Sequence, residues 1–330
     1  MSRADAAAVI LWTGATLYAV FGGADFGAGL WDLVAGDAEK GARPRALIQR
    51  SLAPVWEANH VWLIFILVVL WTAFPEAFGA LMSTLYVPLA LAAVGIVLRG
   101  AGFAFRKSIE SLQARRAMGA AFAISSVLTP FFMGTVVGAV AAGNVPAGGN
   151  GDAFSSWIAP LPLLVGALFV ASGAYLAAVF LIADAREADL ERYFRRRALV
   201  AALVAGALAV AGIFALHDEA RYLYDRLTDQ ALPLVIVSGL CGFGVLALLL
   251  RGARGQALRP LSVGAVVAVI WGWGVAQFPY LLPTSLKITQ SAAPGPTLDA
   301  VLVVFAAAVV VVLPALGLLY WLSQKDLLGE

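Results

Sequence analysis

Cysteine is almost missing from this chain. Cys241 is the single one in 330 residues, so no disulfide can close within the chain and no multi-cysteine metal site exists. Histidine is nearly as scarce: His60 and His217 are the only two, and beyond the first residue the methionines are Met82, Met118 and Met133. Haem iron commonly takes an axial histidine, sometimes with methionine, and such an inventory cannot furnish a multi-haem centre. Charge is thin as well. Asp, Glu, Lys and Arg make up 13% of the chain, against about 25% in a globular protein. The net charge of +2 offers no basic face for nucleic acid.

What the chain has in excess is apolar residues, 62% of the total, where a soluble domain carries roughly 45–50%. Runs of nearly 20 of them recur along the whole length, which is the signature of membrane spans rather than of two soluble domains. Only Arg3 precedes the first run and no cleavage site is evident, so that run reads as a first span and not as a removed signal peptide. A bilayer core needs about 20 apolar residues per helix. That rule predicts nine spans: Ala6–Leu33, Pro54–Ala73, Phe78–Phe105, Ala117–Ala142, Ile158–Asp184, Ala198–Leu216, Ala231–Leu250, Leu261–Leu282 and Leu298–Leu322.

The basic residues sort cleanly on that count. Arg3, Arg221, Arg226 and Lys287 fall on one side, and the remaining 18 of the 22 fall on the other. The positive-inside rule therefore predicts the N-terminus outside and the C-terminus in the cytoplasm. A missed or invented span would have mixed the two sides. The expected fold is an all-α integral membrane protein, one polytopic domain over residues 1–330. Gly14–Asp25 (GATLYAVFGGAD) and Gly173–Asp184 (GAYLAAVFLIAD) match at eight of twelve positions. This suggests a parallel repeat, 1–142 and 158–283, of two four-helix units, with a ninth helix at 298–322.

Ionisable residues within spans are costly, and each is a functional candidate. Asp25 lies in the inner part of the first span, in GGADFGAG; Glu57 opens the second, in PVWEANHVW; Arg99 lies toward the inner end of the third, in LRGAGFAFR. All three fall in the cytoplasmic half, with Glu57 about 5 Å below the interface at 1.5 Å per residue. Two readings stand side by side. One is a polar way in for cytoplasmic protons or ions, with Arg99 as counter-charge. The other is an ion pair that only fixes helix register, since charges near helix ends also snorkel to water. His60 is at i+3 from Glu57 and shares its face. It suits a proton relay or a hydrogen-bonding role better than a metal site, which draws on several ligands. The glycines of GGADFGAG, with Gly95, Gly100 and Gly102, read first as close helix packing. Trp56, Trp62, Trp71, Trp271 and Trp273 read first as interfacial or packing residues, and only then as a quinone-lining surface. Cys241 reads as a small core residue, and Gly143–Trp157 as a solvated connection.

Four strings in this order, GGADFGAG, SLAPVWEANHVWLI, LYVPLALAAVGIVLRGAGFAFR and GWGVAQFPYLLP, resemble subunit II of cytochrome bd-type quinol oxidases over nearly the whole chain. The resemblance implies a terminal oxidase of bacterial respiration, set in the inner (cytoplasmic) membrane, that oxidises quinol and reduces oxygen to water. It implies haems and the quinol-oxidising loop in a partner, subunit I, with no haem or metal bound by this chain alone. A small single-helix accessory subunit, membrane lipid and quinone complete the expected surroundings. The family acid at Glu57 is implicated in a proton channel toward the haems. Asp25 matches the acid of the first-span motif, Arg99 and Arg106 match its two arginines, and Trp56, Asn59 and Trp62 belong to the shared motif. The chain departs from some members at Gly22 and Ala104, where they carry acids, and at His60, where some carry glutamine. These departures point to the cyanide-insensitive, short-loop branch. The competing reading is an ion-coupled secondary transporter using Asp25 and Glu57; the broken midplane helices it calls for are not evident.

Overall fold

The computed structural model describes residues 2–37, 39–52, 56–105, 111–253 and 255–324, with side chains described there apart from those of 52, 56–58, 103–105, 112–117, 313, 316, 319–320 and 323–324. Helix dominates from end to end, as the lack of water in a bilayer core demands of any spanning backbone. The first span is a stack of three pieces: α1 (Arg3–Leu17), a π-helical turn (Tyr18–Gly22) and α2 (Gly23–Leu33). Ser2 caps it, accepting from the Asp5 amide at 3.1 Å, while the Asp5 carboxylate accepts from the Ser2 amide at 2.9 Å. This reciprocal box satisfies two of the free amides of the first turn. A short helix α3 (Ala42–Leu52) follows. It buries Leu47 and Ile48 against the bundle and carries Arg43, Arg45 and Arg50.

Next come α4 (Trp56–Ala73), α5 (Pro75–Thr84) and α6 (Tyr86–Phe105). The chain turns by 117° between α4 and α5. Pro75 explains the place of the break: proline suits the first turn of a new helix but cannot donate within an old one. The sequence-based third span, Phe78–Phe105, is corrected here. Its first turns belong to α5, and α6 alone continues into the bundle. The rest are α7 (Leu112–Ala141), α8 (Pro160–Asp184), α9 (Ala188–Glu219), α10 (Arg221–Thr228), α11 (Leu232–Leu250), α12 (Gly255–Gln277), a two-stranded hairpin of β1 (Tyr280–Leu282) and β2 (Leu286–Lys287), α13 (Ile288–Ser291) and α14 (Gly295–Gln324).

Among the described residues, seven helices are long and apolar enough to cross a membrane, or eight if the bent pair α4 and α5 counts as one; α6 contributes a shorter apolar stretch, Tyr86–Gly102. The buried side chains gather at two ends. One cluster joins the start of α1, the end of α4, α5, the end of α7, the hairpin and the start of α14. The other joins α2, α3, the lower half of α8, the start of α9, the end of α11 and the start of α12. Each cluster thus joins helix ends that the charge count assigns to one side. Residues 144–157 are not a merely solvated connection: Val145 and Trp157 are buried, Asn144 donates to the Ser156 carbonyl at 3.0 Å, and the Gly151 amide donates to Thr84 Oγ1 at 3.1 Å. The outward faces are bare hydrocarbon, as on Trp71, Val97 and Phe243, which suits lipid rather than water.

Candidate functional site: a buried ion pair beside the first π-turn

The site is built where α2, α6 and α7 meet. Asp25 and Arg99, 1% and 0% exposed, form an ion pair with Arg99 Nη2 to Asp25 Oδ1 at 2.7 Å. The same Nη2 also donates to the Asp25 backbone carbonyl at 3.0 Å. Nη1 donates to Ser126 Oγ, and Ser126 in turn donates to the Phe122 carbonyl at 2.6 Å. The rings of Phe26 and Phe122 lie 4.9 and 4.4 Å from the guanidinium carbon. Arg99 therefore spends its fork on one acid, one carbonyl and one hydroxyl, between two aromatic faces. That is the kind of environment a desolvated charge needs. Among the described residues nothing donates to the second carboxylate oxygen, Asp25 Oδ2.

Close backbone approach makes this geometry possible. A Cβ on Gly29 would stand 2.8 Å from Arg99 Nη1 and overlap Ser126, and one on Gly95 would overlap Thr129 Oγ1. On the other side of α2, a Cβ on Gly27 would lie 2.0 Å from the Gly173 carbonyl oxygen, and one on Gly173 would lie 2.6 Å from that of Gly23. The expectation that these glycines serve helix packing is met. Small residues let the two backbones touch, which is how membrane helices gain contact without a hydrophobic drive between them.

The second motif meets the first through Asn59. Its side-chain amide donates across a long 3.4 Å bond to the carbonyl of Phe21, inside the π-turn. A π-turn shifts the helix register and changes which carbonyls find partners, and such turns recur at functional sites. Sequence reading has no signal for that turn beyond the glycine pair that follows Phe21. His60 stands one residue on, its ring edge-on to Phe26 at 6.5 Å between centroids. The α2 acid, the α6 arginine and the α4 histidine thus converge on Phe26. Trp62 packs edge-on to Phe65 at 6.5 Å. The side chains of Trp56 and Glu57, and all of Arg106, lie outside the described residues. Reading the sequence missed Ser126 and the two phenylalanines; hydroxyls are common in apolar helices and announce no partner.

Away from this site, Trp71 stacks on Phe78 at 5.7 Å and Trp273 packs on Trp12 at 4.8 Å, which is the packing role expected of them. The second repeat segment ends in Asp184, whose carboxylate accepts from Arg259 Nη2 at 2.5 Å, but that pair is about a third exposed. Among the described residues no three His, Cys, Asp or Glu side chains form a group able to hold a metal ion.

A family model described as cytochrome bd terminal oxidase subunit II matches residues 4–323. The chain belongs to that family. Among relatives, a putative cytochrome bd menaquinol oxidase subunit II of Bacillus subtilis (strain 168) is 22% identical over 96% of this chain and 94% of its own. A cytochrome bd-I ubiquinol oxidase subunit 2 of Escherichia coli (strain K12) is 28% identical over 64% of this chain and 57% of its own. The solved bd oxidase from Geobacillus thermodenitrificans contains a chain that superposes with a TM-score of 0.78 at 25% identity, covering 98% of both. Family and architecture make this chain a multi-pass bacterial membrane protein and a subunit of a bd-type oxidoreductase, with subunit I as its partner. The transporter reading has no support among these matches.

Proposed function

We propose that this subunit II binds no haem itself, packs on the haem-carrying subunit I, and conducts cytoplasmic protons toward the site where that subunit reduces oxygen with electrons from quinol. Reduction of oxygen to water consumes protons, and a membrane-buried centre can draw them only along a polar path. The observation that carries the reading is the Asp25–Arg99 pair, fully buried and linked to α4, which also carries Glu57, by Phe26 beside His60 and by Asn59 on the Phe21 carbonyl. An intramembrane charge pair is costly to build, and an acid with one oxygen free of protein donors among the described residues is suited to a hydrated path.

In this account Glu57 takes protons at the cytoplasmic start of α4. His60, one turn further along the same face, relays them or holds water. Asp25 assists through Oδ2, and Arg99 fixes its carboxylate. Nine spans and an outside N-terminus complete the reading. They are supported by the seven long helices, the bent pair and the shorter α6, together with the lopsided distribution of basic residues. The two four-helix units are supported by the likeness of Gly14–Asp25 to Gly173–Asp184. Purification of the tagged chain from its native membrane tests the partnership. A second, larger polypeptide with haem absorbance should come with it in equal amount, whereas the chain expressed alone should show no Soret band. A stoichiometric Soret band in the lone chain, abolished by His60→Ala, would overturn the division of labour.

A further inference from the structure

Several arginines at this end of the bundle meet an acid of their own chain. Arg43 meets Glu187, Arg45 meets Asp32, Arg192 meets Asp189, Arg195 meets Glu191 and Arg259 meets Asp184. Arg196 and Arg197, next to one another at the start of α9, have no carboxylate within ion-pairing distance among the described residues. Arg196 is exposed. Arg197 is half-buried and held flat: its guanidinium lies 3.3 Å over the ring of Tyr193 and 5.8 Å from that of Trp31. Trp31 is itself anchored, donating to the Ala174 carbonyl at 2.8 Å. A planar cation is thus oriented by two aromatic rings and meets no carboxylate among the described residues.

The helix explains what lies beside it. Residues three, four, seven and eight positions apart share a face. Val200, Leu203 and Val204 therefore continue the line of Arg196 and Arg197 along α9, and Val200 and Leu203 are 59% and 60% exposed. Two unpaired cations sit at the head of a bare apolar stripe, with aromatic rings at the level where a bilayer places its headgroups.

We infer that Arg196 and Arg197 with Trp31 and Tyr193 form a binding site for the phosphate of an anionic phospholipid of the adjacent leaflet, whose acyl chain lies along Val200, Leu203 and Val204. Guanidinium is the fitting cation, since it is weakly hydrated, forks toward two phosphate oxygens and stacks on rings. The site lies apart from the Asp25–Arg99 cluster and does not depend on proton conduction; it rests only on the chain being in a membrane.

The test uses the full chain in its purified complex, reconstituted in nanodiscs of phosphatidylcholine with rising phosphatidylglycerol, then released for native mass spectrometry. One phosphatidylglycerol should remain per copy of this chain in preference to phosphatidylcholine. Arg197→Gln and Arg196→Gln should each weaken that retention about fivefold, as expected for one basic residue at a charged surface. Arg251→Gln, an exposed cation at the end of α11, should leave it unchanged. Arg196 is exposed, so its variant keeps the test decisive even if Arg197→Gln folds poorly. Displacement of the lipid by millimolar inorganic phosphate would assign the site to a free anion and overturn the lipid claim. So would equal retention of both lipids, or retention unchanged in Arg196→Gln and Arg197→Gln.

Discussion

Replacing Arg99 with methionine tests the buried pair where its energetics are sharpest. The change keeps an unbranched apolar stem, shorter than arginine, and removes the guanidinium. Asp25, 1% exposed, would then hold a charge with no cation in contact, and breaking a buried pair from one side costs about 3–5 kcal/mol. Loss of the two ring contacts at 4.9 and 4.4 Å adds about 0.5–2 kcal/mol each by the usual worth of such contacts. Asp25→Asn breaks the pair from the other side and strands the arginine between Phe26, Phe122 and Ser126, with a loss of the same order. The double variant strands no charge at all. Buried pairs are often replaceable as a unit with little cost, so the double variant should be more stable than either single one, with a coupling near the upper end of about 0.5–3 kcal/mol. The assay is denaturant unfolding in mixed micelles, with the surviving complex read by size exclusion after heating. Additive losses in the double variant, or a wild-type midpoint for Arg99→Met, would refute the view that these two groups exist for one another.

Gly27→Val should separate α2 from α8, because its Cβ would meet the Gly173 carbonyl oxygen at 2.0 Å and backbone cannot step aside. Overpacking of this kind costs about 1–3 kcal/mol or more, whereas Gly239→Ala in α11, where nothing lies within 4 Å, should be neutral in the same thermal assay. Cysteines placed singly at Arg195 and Arg221, in a background without Cys241, should label from opposite faces of intact cells or vesicles; labelling from one face would break the span count.

Much of this fold was legible in the sequence because a membrane simplifies the problem. Most of the apolar runs coincide with helices, seven of them long enough to cross a membrane among the described residues. Span boundaries failed where a local break was at stake: Phe78 is apolar and reads as the start of a span, yet Pro75 begins a separate helix across a 117° turn. Hydropathy averages over such a corner. At the site, Asp25 and Arg99 announced themselves because a charge in an apolar run is conspicuous, and their pairing followed from depth. Ser126 did not, since a hydroxyl in a helix can simply donate to the preceding turn, as Ser125 does to Phe122 at 2.9 Å. The π-turn was invisible for a different reason: it is a shift of helix register, which neither composition nor spacing announces. The aromatic clamp on Arg197 joins α2 to α9, a contact that no sequence spacing encodes.

Proton delivery through this chain stands or falls with Glu57→Gln. Glutamine keeps the shape and hydrogen bonding of the acid but cannot ionise, so it removes only the proton. Quinol-driven oxygen consumption should be measured from acid to alkaline pH on the assembled complex, with haem content determined in the same sample. Haem content should stay full while turnover falls at least tenfold, as expected from removal of one positioned proton-transfer group, typically worth about 10²–10⁴-fold. A fully assembled Glu57→Gln complex that turns over at the wild-type rate across that range would contradict that expectation and leave the polar cluster a structural one.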